Sequence, residues 1–305
     1  MEKVLITGGT GLIGRILSKK LLDKGYEVAI LSRSPNTSSD IPVFHWNYET
    51  GKIDQQALNY CDYIIHLAGS NIGEKRWTKR RKQLILDSRI KSADFIYKTL
   101  EENNLKPKAF VSASAIGYYG SLTSERIFVE DDDYHKDFLG KTCKLWEQAA
   151  DDFQDRGIRS VKIRTGIVFT KKDGPLAKMM TSFKFRLGAI LGNGKQYVPW
   201  IHVDDLCEIY IKAIEDSNIK GAYNAVAPEH ITYSELVRGI ALFVKRPFIT
   251  MRVPGIFIKI IFGRMSEILL NGSRISSKKI QQAGFKFRFP SIQEALAELI
   301  NKDRN

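Results

Sequence analysis

Residues 4–14 read Val-Leu-Ile-Thr-Gly-Gly-Thr-Gly-Leu-Ile-Gly, an apolar strand that runs straight into a glycine turn and then a helix. The glycines at 9, 11 and 14 fit G-x-G-x-x-G, and those at 8, 11 and 14 fit the looser T-G-x-x-G-x-x-G. A turn of this kind is a socket for a dinucleotide. It bends tightly, admits the pyrophosphate against bare backbone, and lets helix and strand touch. The helix expected over residues 11–24 aims its N-terminal N–H groups and dipole at the phosphates. Gly8, Gly11, Leu12, Ile13 and Gly14 are therefore the first cofactor-binding candidates.

The second strand is expected at residues 26–31, after Gly25 stops the helix. About twenty residues past the glycines, an NAD site wants a carboxylate for the ribose hydroxyl, whereas an arginine suits a 2′-phosphate. This chain has Ser32-Arg33 at that point and no Asp or Glu before Asp40. The expectation is NADP(H) in preference to NAD(H), held by Ser32 and Arg33. The competing account is an ordinary solvated arginine in a loop.

A chain of 305 residues with 43% hydrophobic content can bury one large core and carry a lobe besides. The most apolar long stretch, residues 253–270, is broken by Lys259, Arg264 and Glu267 and falls short of the ~18 uninterrupted residues of a membrane span. The sequence opens on a strand without a signal-peptide pattern, so a cytoplasmic protein with no membrane partner is expected. Cys61, Cys143 and Cys207 are odd in number and far apart, which argues against disulfides and against a metal site. The net charge of +13 gathers in residues 75–82, Lys-Arg-Trp-Thr-Lys-Arg-Arg-Lys, and continues to Arg89 and Lys91. Such a patch is a solvated helix face or attracts an anionic small molecule. With no reading motif beside it, nucleic acid is the disfavoured partner.

Strand-like runs at 63–67, 109–113 and 160–163 alternate with helical stretches at 82–102 and 140–157. Alternation of this kind implies an α/β fold, a Rossmann-type doubly wound parallel sheet with ligands outside the carboxyl ends of its strands. From about residue 170 the loops lengthen. Residues 1–228 are expected to form the dinucleotide-binding domain, with a substrate-side segment at about 170–200, and residues 229–305 a small lobe that closes a substrate cleft.

Several segments together resemble the extended short-chain dehydrogenase/reductase superfamily. Residues 7–14 resemble its glycine motif, and Asp62-Tyr63-Ile64-Ile65-His66-Leu67-Ala68-Gly69 resembles its fourth strand, which implies that Leu67, Ala68 and Gly69 run beneath the cofactor. Val111-Ser112-Ala113-Ser114 resembles the fifth strand, which in the family delivers a catalytic serine or threonine. Ile201-His202-Val203-Asp204-Asp205 is similar to a later H-V-D-D segment. Arg76-Trp77-Thr78, Lys82, Ser88-Arg89, Gly117-Tyr118-Tyr119-Gly120, Trp146-Glu147, Pro199-Trp200-Ile201-His202 and Gly284-Phe285-Lys286-Phe287 resemble one atypical branch. Its members are epimerase-like proteins of unassigned reaction that carry a distinctive carboxyl-terminal domain.

The superfamily relay passes a proton through a tyrosine, while a lysine four residues later lowers the phenol's pKa and holds the ribose. A phenol is a poor base at neutral pH without such a charge. Aligned on Trp146-Glu147, the tyrosine position falls on Leu139 and the lysine position on Cys143. Lys141 and Lys144 flank it but project about 160° and 100° away on a helix. The only Tyr-x-x-x-Lys, Tyr48 to Lys52, is expected in a turn between the second and third strands. Ser114 and Tyr118 remain as catalytic candidates, able to polarise a carbonyl or exchange a proton; the alternative is a turn cap and a pocket wall. His66 and His202 are expected to be structural, and Asp204 or Asp205 to cap a helix. Two functions lead on this reading, with a basic nucleic-acid-associated protein as a weaker third. One is an NADP(H)-dependent oxidoreductase or epimerase on a small polar substrate, anionic where the basic stretch borders the cleft. The other is a catalytically reduced dinucleotide-binding regulator or scaffold.

Overall fold

A computed structural model of the chain describes residues 1–34, 40–244 and 249–301. The central sheet has eight strands: β1 (Lys3–Thr7), β2 (Glu27–Ser32), β3 (Val43–Asn47), β4 (Lys52–Ile53), β5 (Tyr63–His66), β6 (Ala109–Ala115), β8 (Arg159–Thr165) and β12 (Gly221–Ala225). Their order is β12-β8-β6-β5-β1-β2-β3-β4, parallel throughout except for the β3–β4 hairpin. Among the described residues, three two-stranded pairs lie outside it: β7 (Ile127–Phe128) with β14 (Arg274–Ile275), β9 (Ile167–Phe169) with β11 (Trp200–His202), and β10 (Leu187–Leu191) with β13 (Ile249–Val253). Parallel strands covered on both faces read as unbroken apolar runs, and Val4, Leu5 and Ile6 are all buried.

Helices α1 (Leu12–Asp23) and α5 (Val203–Glu215) cover one face of the sheet, and α2 (Lys79–Glu102) and α3 (Phe138–Asp151) the other. Leu17, Leu21, Ile209 and Tyr210 fill the first layer; Ile96, Leu100, Ala150 and Phe153 fill the second, where Phe153 stacks on Phe110 of β6. A further core joins α4 (Gly174–Lys184), α6 (Tyr233–Phe243) and α10 (Ile292–Asn301) through Phe183, Trp200, Ile240 and Leu296. The segment at 170–200 and the carboxyl-terminal part thus share one interior. Short helices α7 (Gly255–Phe262), α8 (Glu267–Leu270) and α9 (Lys278–Gln282) follow, and Ile280 and Phe285 return the chain to the main core. Among the described residues, no helix is long and apolar enough to cross a membrane and no cluster of ligating side chains could hold a metal.

Local expectations shift in four places. Strand β3 precedes Tyr48, so the Tyr48 to Lys52 pair lies in the β3–β4 hairpin and not between the second and third strands. Helix α2 begins at Lys79, because Thr78 Oγ1 accepts from the Arg81 N–H at 3.1 Å. Helix α3 opens at Phe138 on an Asp137 cap and changes to a 3-10 turn after Asp151. Neither aspartate caps α5. His202 does, its Nδ1 accepting from Asp204 N at 3.1 Å, while Asp204 pairs with Lys20 at 3.3 Å. Asp205 accepts from the Arg288 and Phe289 N–H groups at 2.8 and 3.0 Å, fastening the carboxyl-terminal segment to the sheet domain.

Candidate functional site

The strand order reverses between β1 and β5, and the glycine turn opens at that crevice. Gly8 has φ +69°, a conformation that favours glycine, and its carbonyl accepts from Gly11 N at 3.0 Å. A Cβ on Gly14 would stand 2.5 Å from Gly9 Cα, so only hydrogen fits between helix and turn. Gly11 caps α1 without a side-chain hydrogen bond, and the first turn, with Leu12 and Ile13, carries no acid. Its N–H groups and positive dipole end therefore face the crevice uncompensated by side chains, which suits a phosphate. Leu67 and Ala68 form the opposite wall, within 3.0 Å of where a Gly8 Cβ would sit. The residues present fit a dinucleotide.

His66 holds that wall in place. Its Nδ1 meets Thr7 Oγ1 at 2.8 Å and its Nε2 meets Ser92 Oγ at 3.0 Å, joining β1, β5 and α2. Burial pushes its pKa down to about 4, so the ring is neutral and structural. Thr7 Oγ1 also accepts from Ala68 N at 3.2 Å. At the end of β2, Ser32 Oγ donates to Ser34 O at 3.1 Å, and Arg33 is exposed with no ion pair among the described residues.

Ser114 lies near the carboxyl end of β6, and Tyr118 in the 3-10 turn that follows. The two meet through a buried ion pair that sequence reading missed. Ser114 Oγ donates to Glu147 Oε1 at 2.7 Å, and Arg164 grips the same carboxylate through Nε at 2.8 Å and Nη2 at 2.9 Å. The Arg164 guanidinium lies 3.5 Å from the centre of the Tyr118 ring. Its Nη1 donates to Tyr119 Oη and to Glu130 O, and Tyr119 in turn donates to Asn224 Oδ1, each within 2.9 Å. Desolvation disfavours the charge on Arg164, but the Glu147 carboxylate outweighs it and holds the guanidinium charged. Burial raises the Tyr118 pKa against the pull of Arg164, so the phenol keeps its proton. The signal for Arg164 was present in Val161-Lys162-Ile163-Arg164: an arginine alternating with apolar residues requires a buried partner.

Leu139 and Cys143 are both buried on α3. Burial pushes the Cys143 thiol up to about 12, leaving it uncharged. From the basic stretch, Lys82 lies 4.6 Å above the Phe138 ring, and Arg76 reaches Gly263, where a Cβ would meet its Nη2 at 3.1 Å. Gly263 lines a cavity of about 700 Å3 together with Asn193, Lys259, Arg264, Glu267 and Asn271.

Residues 4–225 match the profile of the NAD dependent epimerase/dehydratase family, and residues 253–299 match DUF1731, a domain of unknown function. The epimerase family protein YfhF of Bacillus subtilis is 35% identical over 300 residues, covering 97% of both chains. An epimerase family protein of Mycobacterium leprae is 34% identical over 96% of this chain and 94% of its own. The crystal structure of the human epimerase family protein SDR39U1 with NADPH superposes with a TM-score of 0.85 at 29% identity, covering 98% of this chain and 99% of that one.

Proposed function

This chain belongs to the NAD dependent epimerase/dehydratase family, and from that premise we propose that it binds NADP(H) and acts as a reductase or epimerase on a small, polar, anionic substrate. One observation carries the reading. The uncapped glycine socket and the Ser114–Glu147–Arg164–Tyr118 cluster lie at the same, carboxyl edge of parallel strands β1, β5 and β6. Gly8, Gly11, Leu12, Ile13 and Gly14 are assigned to the pyrophosphate, Ser32 and Arg33 to the 2′-phosphate, and Leu67, Ala68 and Gly69 to the wall beneath the nicotinamide half. The human relative determined with NADPH supports the choice of cofactor. When bound, the nicotinamide supplies or accepts the hydride.

The residues of this chain handle the proton. In the reductive direction, Tyr118 gives its phenolic proton to the substrate oxygen as the carbonyl carbon is reduced, and the phenolate is held against Arg164 until solvent returns a proton. Ser114, whose hydrogen is donated to Glu147, presents lone pairs that orient a substrate hydroxyl. Arg76, Lys259 and Arg264 around the cavity supply the positive field that selects an anion. To residues 229–305, with the segment at about 170–200 with which they share one interior, we assign the side that covers the substrate.

The test is a screen of aldehydes, ketones and nucleotide sugars by NADPH absorbance, followed by Ser114→Ala and Tyr118→Phe. Tyr118→Phe should lower turnover by about 10²–10⁴-fold, and Ser114→Ala should lower it as well, both with NADPH affinity retained. Full activity in both would remove the site assignment. A protein that finds no substrate, but stabilises a partner only when dinucleotide is present, would be the regulator instead.

A further inference from the structure

Arg89, in the middle of α2, is a half-buried cation that pairs with no carboxylate among the described residues. Its Nη1 donates to Ser70 O at 3.2 Å and Ile85 O at 2.8 Å, and its guanidinium lies 4.7 Å from the centre of the Trp146 ring. Among the described residues it has no carboxylate partner, and Nε and Nη2 have no hydrogen bond. Cys143, which lies close enough to interact with it, is a neutral thiol. Desolvation works against the charge. Two carbonyls and an aromatic face engage only part of a guanidinium that has five N–H donors, and its remaining N–H groups are not sealed from solvent.

The location of this cation is specific. A Cβ on Gly69 would stand 3.2 Å from Arg89 Cζ, so the bare residue just beyond β5 is what lets the guanidinium occupy that space. Gly69 and Ser70 continue the wall that begins at Leu67 and Ala68 opposite the glycine turn. The planar fork is thus presented between that wall and Trp146 of α3, with Nε and Nη2 left for a ligand carrying paired oxygens. We propose that Arg89 binds the ribose hydroxyls on the nicotinamide side of the dinucleotide, so that α2 supplies the fixed cation that α3, with Cys143, does not. This rests on the cofactor reading above.

Isothermal titration of wild type, Arg89→Met and Arg89→Lys with NADPH and with adenosine 2′,5′-bisphosphate, which lacks the nicotinamide ribose, tests it. Arg89→Met should weaken NADPH about ten- to hundredfold and leave the bisphosphate unchanged. Arg89→Lys, which keeps charge and stem but loses the fork, should fall between; it also carries the test if the Met variant does not fold. Unchanged NADPH affinity, or an equal loss for both ligands, would overturn the assignment, the second by reducing Arg89 to a structural prop. NADPH affinity unchanged with a raised substrate KM would move Arg89 to the substrate. A wild-type protein that binds neither ligand would refute the cofactor reading itself.

Discussion

Glu147→Gln strips the charge from the partner of Arg164 while preserving shape. The two side chains are 7% and 4% exposed, so water cannot replace what is lost. Glu147 receives three donors, from Ser114 at 2.7 Å and from Arg164 at 2.8 and 2.9 Å. An amide can turn its oxygen to only one side, and its NH₂ must then oppose a donor. Breaking one partner of a buried pair costs about 3–5 kcal/mol. An unfolding entropy of about 2.1 cal/mol/K per residue, or roughly 0.64 kcal/mol/K for this chain, converts that cost into a melting point lower by about 5–8 °C. The complementary variant, Glu147→Leu with Arg164→Met, removes both charges and should recover at least half of the loss, although the Glu130 carbonyl then lacks a donor. Turnover should not recover with it, because the Tyr118 phenolate would have lost its cation. Calorimetric melting at neutral pH reads all of this. An unchanged midpoint in the Gln variant, or a double variant less stable than the single one, would refute the reasoning.

Arg33→Ala should remove a preference for NADPH over NADH of about ten- to hundredfold, the worth of one charge-assisted contact to the 2′-phosphate; equal affinities in the unmutated protein would sink the assignment. His66, fully enclosed and neutral with its pKa depressed to about 4, gives stability that is present above pH 6.5 and lost as pH falls toward 4. Over that window the unfolded state binds the extra proton, and the shift corresponds to roughly 3 kcal/mol of unfolding free energy. His66→Gln should flatten that slope in urea titrations, and an unaltered slope would rule His66 out as its cause.

The glycine turn, the second strand and the helix after it were legible because their signals are local. Residues 4–14 contain apolar run, turn and helix start in one stretch, and Gly8 and Gly14 are required by contacts inside that stretch. The family resemblance extended this to the whole chain, with Ser114 at the end of its strand, and the place of His66 at the end of a buried strand pointed to its structural role. What sequence could not decide was pairing over distance. Asp204 and Asp205 read as caps because caps are local, yet Asp205 is claimed by backbone N–H groups more than eighty residues away. The cap falls to His202, whose ring is held by burial and by Glu298 at 3.2 Å. Glu147 and Arg164 were each visible as a charge, but only the adjacency of β6 and β8 and the packing of α3 beneath them made the two one ion pair joining Ser114 to Tyr118. That Leu139 and Cys143 offer neither a phenol nor a cation is residue identity; that they stand at the tyrosine and lysine positions is what the resemblance, aligned on Trp146-Glu147, implies. That Arg89 reaches the neighbourhood from another helix was decided by the close approach of α2 to Trp146 and to the bare backbone of Gly69. Local sequence specifies which groups a segment can offer; the desolvated company each group keeps is set by elements far apart in the chain, and it is that company which determines charge, hydrogen bonding and role.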